Sequence, residues 1–323
     1  MKLAIKGLLK KTATLGLTCS MLAIPLAVST TVQAAGERFV LISHADDADS
    51  WWNTIKTALS EASAQLDVKT EYRNPPTGDL ADMARIVEQV IASNPDGIIL
   101  PITDYDVLSG PVAKARKKGI PIITINSGSH EQSESWGALL HVGQPEYAAG
   151  KGAGKRAKAA GVKSFVCVNH YIENPSSVER CQGFADALGI ELKGSMIDVG
   201  KDPTDIEKKV LAYLRKNENT DAVLTLGPTS AHPTLRALEK NRKAGEIYFG
   251  TFDLSGDIAK AVKSGVISFA IDQQPFLQGY MPVSILTNYV RYGVVPGNHI
   301  NSGPGFITKE NIEQVEKLAG EYR

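Results

Sequence analysis

From residue 37 onward the chain repeats one pattern, in which a short apolar run stops at a small polar or acidic residue. Seven such runs end at Ile42, Ile102, Ile125, Val168, Leu226, Phe252 and Ile271. Most are separated by about 15 to 25 residues whose apolar positions recur every three or four residues, the spacing of an amphipathic helix. Strands that alternate with helices form a parallel sheet covered on both faces. The pattern therefore predicts a doubly wound α/β fold.

The pattern occurs in two successive halves. Four strand and helix units are complete by Asn126, an irregular connection covers 127–136, and the units begin again from Pro145. A single hydrophobic core stops growing at about 250 to 300 residues. The length of the chain and its repeated plan thus predict two α/β domains of similar architecture.

Polar residues follow the predicted strands, at the edge of a parallel sheet where ligands bind. They are largely uncharged hydrogen-bonding residues: His44, Asp104, Asn126, Asn169, His170, Thr229, Asp253 and Gln273. Two adjacent tryptophans, Trp51 and Trp52, lie shortly after the first strand. Aromatic rings beside hydrogen-bonding groups suit a molecule that has both hydroxyls and C–H faces. The set predicts a pocket for a small polyhydroxylated molecule.

The first 34 residues have the features of a signal peptide. Four lysines and no acidic residue precede a mostly apolar segment at 13–28, and Val32-Gln33-Ala34 places small residues at the cleavage positions. A membrane span is the alternative, but Pro25 and two hydroxyl residues interrupt a segment shorter than the roughly 20 apolar residues that a bilayer requires. We expect cleavage near Ala34 and export of a soluble protein.

The charge balance changes once residues 1–34 are removed. They contain four of the 35 basic residues and none of the 35 acidic residues, so the remaining 289 residues carry a net charge of −4. The chain has no excess of basic residues, so its charge does not indicate a nucleic acid partner.

Two cysteines remain after cleavage, Cys167 in a predicted strand and Cys181 in the following predicted helix. An oxidising compartment permits a disulfide between them, but the strict geometry of the bond favours two buried free thiols. Both alternatives stay open. Neither cysteine has a catalytic partner nearby in sequence, which argues against a thiol enzyme.

Motifs of metal and enzyme chemistry are missing from the sequence. The cluster of His44, Asp46, Asp47 and Asp49 lacks the glycine and distal glutamate of an EF-hand loop and the ligand spacing of a zinc site. No G-x-S-x-G elbow, Walker loop or dinucleotide fingerprint follows a strand. The sequence predicts a protein that has no cofactor and no catalytic function.

Ordered local matches make the chain resemble the type I periplasmic sugar-binding proteins, which include the ribose-, galactose- and inositol-binding proteins of ABC importers. The matches are Ser50-Trp51-Trp52, residues 94–100 before Thr103-Asp104, residues 119–126, Val142-Gly143, residues 149–151, residues 180–184, residues 249–253 and residues 271–273. They cover nearly the whole exported part of the chain.

The resemblance implies two lobes joined by three crossings, with the ligand between them. The first lobe would comprise residues 35–126 and 274–300, and the second lobe residues 127–273 and 301–323. Hinge closure around the ligand is the expected motion.

The resemblance also assigns roles to individual residues. Asp104, Arg180 and Asp253 would bond sugar hydroxyls, and Asn126 and Gln273 would do the same or hold the hinge. At least one of the two tryptophans would stack on the sugar, while core packing of the other stays open because adjacent helix residues point about 100° apart. The remaining expected contacts are Asp49, Asn169, His170 and Thr229, the last in a Gly227-Pro228-Thr229-Ser230 segment where sugar-binding relatives usually have Asn-Asp.

The implied function is that of a monomeric periplasmic binding protein that delivers a neutral monosaccharide, sugar alcohol or cyclitol to an ABC permease in the inner membrane. The alternative is a sensory protein that delivers a sugar or a furanose-type, autoinducer-like signal to a receptor. We further expect binding that changes little between about pH 6 and pH 8, because free aspartates are ionised there.

Overall fold

The computed structural model describes residues 36–323. The predicted signal peptide lies outside the described residues. Among the described residues, no helix is both long enough and apolar enough to span a membrane.

Twelve strands form two sheets within the described part of the chain. The strands are β1 (Arg38–Ile42), β2 (Lys69–Arg73), β3 (Gly97–Pro101), β4 (Ile122–Ile125), β5 (His141–Gly143), β6 (Phe165–Asn169), β7 (Met196–Asp198), β8 (Ala222–Thr225), β9 (Tyr248–Phe252), β10 (Phe269–Asp272), β11 (Ile300–Asn301) and β12 (Gly305–Ile307). The first sheet has the order β11-β5-β4-β3-β1-β2 and the second the order β12-β10-β9-β8-β6-β7. All neighbouring strands are parallel except β12, which runs antiparallel to β10.

Ten α-helices accompany these strands within residues 36–323, and two 3-10 turns follow at Ile312–Gln314 and Glu316–Leu318. The α-helices are α1 (Trp52–Leu66), α2 (Leu80–Ala92), α3 (Tyr105–Lys117), α4 (His130–Ser135), α5 (Glu146–Ala159), α6 (Pro175–Leu188), α7 (Pro203–Lys216), α8 (Pro228–Lys240), α9 (Gly256–Ser264) and α10 (Pro275–Tyr292). The inner strands β3 and β6 are buried at every position, because helices cover both faces of each sheet. The prediction of two doubly wound parallel α/β lobes is confirmed.

The strand pairing differs from the expected first boundary between the lobes. β5 pairs with β4, so β5 lies in the first sheet and the chain first leaves that sheet after Gly143. The expected boundary at Asn126 came from the resemblance, and a strand of three residues is too short for its own apolar pattern to predict it. The chain returns after Asp272 to α10, which packs on α1, and passes back between Asn301 and Gly305.

A disulfide joins Cys167 on β6 to Cys181 on α6. The interpretation of two free thiols, which the sequence favoured, is therefore wrong. The bond fixes α6 against β6, an inner strand of the second sheet next to its β7 edge, one residue away from Arg180.

Glycines allow an unusually close approach of α5 and α6. A Cβ atom on Gly150 would overlap the carbonyl oxygen of Arg180, and one on Gly183 would overlap the carbonyl oxygen of Tyr147. These contacts involve backbone atoms, which cannot move aside as a flexible side chain does. The glycines therefore let α6, the helix that carries Arg180, pack directly against the backbone of α5.

The variant Gly183→Ala should lower the free energy of unfolding by about 1 to 3 kcal/mol, because the added methyl forces the two backbones apart. Gly110→Ala is the matched control, since Gly110 lies in α3 with no atom near the position of its Cβ. The free energy of unfolding of this control should rise by about 0.5 to 1 kcal/mol, because alanine reduces the backbone freedom of the unfolded chain. Denaturant unfolding measures both, and equal stability of the two variants would contradict the proposed contact.

Candidate functional site

A cavity of about 60 Å³ lies between residues of the two lobes, beyond the carboxyl ends of their strands. The first lobe contributes His44, Asp49, Trp51, Trp52, Asn126 and Ser127 to its lining. The second lobe and the adjoining crossing contribute His170, Tyr171, Asn174, Ser176, Ser177, Arg180, Leu226, Gly227, Pro228, Thr229, Asp253 and Gln273. The position agrees with the rule that ligands bind outside the carboxyl ends of parallel strands.

Both tryptophans lie on one side of this cavity. The rings of Trp51 and Trp52 are 5.1 Å apart with an angle of 80° between their planes. His44 lies edge-on to Trp52 at 5.4 Å. The Asp49 carboxylate accepts the backbone N–H of Trp51 at 3.1 Å and so fixes the turn that precedes α1. This side of the cavity presents flat apolar surface to a ligand.

Asp253 is a buried carboxylate that the second lobe contributes to the lining of the cavity. Its Oδ1 accepts a hydrogen bond from Gln273 Nε2 at 2.7 Å. Burial raises the pKa of Asp253 to about 7, although the nearby Arg180 guanidinium and the bond from Gln273 favour its ionised form. The indole N–H of Trp51 also lies close enough to lower this pKa, but it is not within hydrogen-bond geometry. Asp253 can therefore accept or donate a hydrogen bond near neutral pH.

Arg180 is buried and paired with a residue that the sequence analysis missed. Its Nε and Nη2 donate to the two carboxylate oxygens of Glu146 at 2.7 and 2.6 Å. Nη1 donates to the carbonyl of Leu226 at 3.1 Å, and the guanidinium lies 4.5 Å from the centre of the Phe252 ring. A guanidinium has five N–H donors, so two remain after these bonds. The charge of Arg180 is neutralised while part of its donor capacity is still free.

Two histidines complete the polar surface in their neutral form. Burial lowers the pKa of His44 to about 3 and that of His170 to about 4. Burial also raises the pKa of Asp49 to about 6, although this residue is partly exposed. Because Asp49 and Asp253 titrate near neutral pH, the expectation of pH-independent binding between pH 6 and pH 8 does not follow from these residues.

Four buried polar atoms around the cavity have no hydrogen-bond partner. They are His44 Nδ1, Trp51 Nε1, His170 Nδ1 and the hydroxyl of Tyr171. A buried polar group without a partner costs about 1 to 3 kcal/mol, so unpaired groups that share one cavity point to a ligand that pairs with them. The ligand that fits carries several hydroxyls at short spacing.

Nine of the eleven predicted site residues line this cavity, and Asp104 and Asn169 do not. The Asp104 carboxylate instead accepts the backbone N–H of Val107 at 2.9 Å and caps α3. Asn169 Oδ1 accepts the N–H of Tyr171 at 2.8 Å, which orients the loop that carries Tyr171. A short polar side chain at the end of a strand can bond its own backbone, and that local bond directs these two away from the cavity.

The sequence analysis also missed several uncharged residues of the second lobe. Asn174 caps α6 through Oδ1, and its Nδ2 donates to Ser127 Oγ of the first lobe at 3.1 Å. Asn174 followed by Pro175 is a recognisable helix start, but nothing in that signal indicates a contact with the other lobe.

Among the described residues, no group of three or more His, Cys, Asp or Glu side chains has the arrangement of a metal site.

The variant Asp253→Asn should change how stability depends on pH. Burial raises the pKa of Asp253 from 3.8 to about 7, so the folded state keeps a proton that the unfolded state releases near pH 4. The stability that this proton contributes is complete below about pH 4 and is lost as the pH rises to about 7. Wild type should thus lose stability relative to Asp253→Asn across this window, by at most about 1.4 kcal/mol per pH unit. Denaturant unfolding of both proteins measures the difference, and parallel pH profiles would show that Asp253 is not desolvated.

Comparison with known proteins places the fold in a family. Residues 39–293 match the family model of the periplasmic binding protein domain. The xylose/arabinose-binding protein XylF of Sulfolobus acidocaldarius is 23% identical over 300 residues, with 88% of this chain and 74% of that protein covered. The ribose import binding protein RbsB of Haemophilus influenzae is 25% identical, with 82% and 89% covered.

A solved structure agrees with these relatives. A carbohydrate transporter from Acidothermus cellulolyticus 11B, in complex with myo-inositol, is 28% identical and superimposes with a TM-score of 0.83. The match covers 88% of this chain and 98% of that chain. The two curated relatives are named as binding proteins, which agrees with the prediction of a non-enzymatic protein. Because the family model matches most of the length of this chain, the chain belongs to the periplasmic binding protein domain family.

Proposed function

We propose that the protein is the periplasmic substrate-binding component of an ABC importer and that it binds a neutral monosaccharide, sugar alcohol or cyclitol. The observation that carries this proposal is the cavity between the lobes, where four unpaired buried polar atoms surround a space beside two tryptophans. Sugar hydroxyls would pair with the polar atoms, and the C–H face of the ring would pack on indole.

Electrostatics favour a neutral ligand over an anionic one. The cavity contains the Asp49 and Asp253 carboxyl groups, and the charge of Arg180 is already balanced by Glu146. A phosphate or carboxylate on the ligand would be buried without a free cation among the lining residues, which costs several kcal/mol. A hydroxyl can donate to either aspartate and accept from Arg180 without this cost.

The relatives support a ligand of this class. Their names give xylose and arabinose, ribose and, for the solved complex, myo-inositol, all of which are small neutral polyhydroxylated molecules. The name of the ribose relative includes import, which favours delivery to a membrane permease. No residue of the described chain favours the sensory alternative. Cleavage near Ala34, the periplasmic location and a monomeric state belong to the same proposal.

Calorimetric titration of residues 35–323 with pentoses, hexoses, sugar alcohols and inositols tests the proposal. At least one neutral compound should bind in the micromolar range or tighter, about −8 kcal/mol. Its phosphorylated or acidic derivative should bind more weakly. Tighter binding of the anionic derivative, or binding of no polyhydroxylated compound, would contradict the proposed ligand class.

Above pH 7, where Asp253 is ionised, Asp253→Asn should weaken binding of that neutral compound about ten- to hundredfold, because it removes a charged acceptor from buried hydroxyls. Asp104→Asn is the matched control, since Asp104 also follows a strand but caps α3 outside the cavity. Asparagine caps helices as well as aspartate does, so this variant should keep wild-type affinity. Equal effects of the two substitutions in the same titration would place the ligand elsewhere.

A further inference from the structure

The outer edge of the site is crossed by an ion pair between the lobes. Lys201, which follows β7 of the second lobe, places its Nζ 3.2 Å from Oδ2 of Asp46, which follows β1 of the first lobe. The side chains are 35% and 19% exposed, so this pair is only partly screened by water. Neither residue lines the 60 Å³ cavity.

The same lysine covers a stack of rings that spans the two lobes. Its Nζ lies 4.3 Å from the centre of the Tyr171 ring, within the range of a cation–π interaction. Tyr171 of the second lobe stacks on His44 of the first lobe at 5.3 Å with an angle of 27°. His44 in turn contacts Trp52 in the wall of the cavity. One continuous set of contacts therefore connects Lys201 with the cavity wall of the opposite lobe.

The first lobe holds Asp46 ready for this contact. Its Oδ1 accepts the N–H of Ala48 at 3.0 Å, which leaves Oδ2 directed at the lysine. Asn74 Nδ2 donates to the carbonyl of Ala45 at 3.0 Å and to Oδ1 of Asp47 at 2.9 Å, which fixes the loop. A Cβ atom on Gly78 would lie 3.0 Å from Lys201 Nζ, so glycine at this position leaves room for the ammonium group.

The ion pair also lies on the route between the cavity and solvent. A larger cavity of about 640 Å³, here called the outer chamber, is lined by Asp46 and Lys201. The outer chamber shares His44, Asp49, His170, Tyr171, Pro228 and Thr229 with the inner cavity. A ligand that leaves the inner cavity through these shared residues passes the ion pair.

We propose that Lys201 is a latch that retains the ligand by holding the mouth of the cleft closed through Asp46 of the first lobe and through the stack of Tyr171 on His44, which it covers. This inference rests on the proposed function, because it presupposes a ligand in the inner cavity. Lys201 is a positioning residue that does not touch the ligand. It acts on the rate of release, since its partner Asp46 lies on the other lobe and the contact must break when the lobes separate.

Stopped-flow tryptophan fluorescence with the tightest neutral sugar found by calorimetry tests the latch. Lys201→Met keeps the length of the side chain and removes its charge, and Asp46→Asn removes the partner's charge. Each should raise the dissociation rate about two- to fivefold, as expected for a partly exposed ion pair. The double variant should add little to either single variant, because both remove the same interaction. Lys208→Met is the matched control, since Lys208 pairs with Asp205 within α7, and it should release the sugar at the wild-type rate.

Two further readouts separate a latch from a general structural role. Raised salt should speed dissociation from wild type more than from Lys201→Met, because salt screens the ion pair. The ratio of affinities for two different sugars should be the same in wild type and variant, since Lys201 does not contact them. Dissociation from Lys201→Met at the wild-type rate, in a protein whose wild type binds sugar, would overturn the latch alone. Failure of wild type to bind any sugar would instead overturn the proposed function.

Discussion

The arrangement of both lobes depends on a buried amide, Gln278, near the start of α10. Its Nε2 donates to the backbone carbonyl and to Oε1 of Gln273 at 3.2 and 3.1 Å, and to Oγ of Ser302 at 3.0 Å. Its Oε1 accepts from Asn126 Nδ2 at 3.4 Å. Gln273 belongs to the second crossing and Ser302 to the third, so one side chain connects two of the three crossings with the end of β4. Loss of any member leaves a buried polar group unpaired, which makes the network stable only as a whole.

This network is part of the ligand site, because Asn126 and Gln273 line the cavity. Gln273 accepts from Gln278 and donates to Asp253, the carboxylate that faces the cavity. The crossings and the ligand site therefore share hydrogen bonds, and a ligand that binds Asp253 also acts on the groups that hold the hinge. A ligand favours one arrangement of the lobes only to the extent that it binds that arrangement better, and contacts to residues of both lobes provide such a difference.

Backbone conformation directs the site residues toward the cavity. Asn126, Asp253 and Gln274 have positive φ angles of 57°, 64° and 53°. Asparagine and aspartate tolerate this left-handed region better than most residues, and each of these two comes directly after a strand. Both side chains reach the lining of the cavity. Glutamine tolerates the left-handed region less well than asparagine or aspartate. The backbone N–H of Gln274 donates to Asp272 Oδ1 at 2.7 Å, which stabilises this conformation.

Local rules predicted the two sheets, and local rules together with the resemblance predicted nine of the residues that line the candidate cavity. Buried parallel strands are continuous apolar runs, and the residues after them lie at the ligand-binding edge. The same rule failed at Asp104, where a bond within the helix start directs the carboxylate away from the cavity. It could not find Glu146, whose role depends on the close packing of α5 on α6.

The sequence also could not predict contacts that depend on three-dimensional distances. The disulfide between Cys167 and Cys181 requires two specific positions to meet, and residue spacing alone did not decide it. The contact of Lys201 with Asp46 joins two loops on different lobes, and neither loop carries a pattern that indicates the other.

A crystal structure of residues 35–323 with the tightest neutral sugar tests the ligand site most directly. We expect one ligand between the lobes, with its ring against Trp51 or Trp52 and its hydroxyls within hydrogen-bond distance of Asp253 and Arg180. A ligand that contacts only one lobe, or that lies in the outer chamber without reaching Asp253, would contradict this expectation.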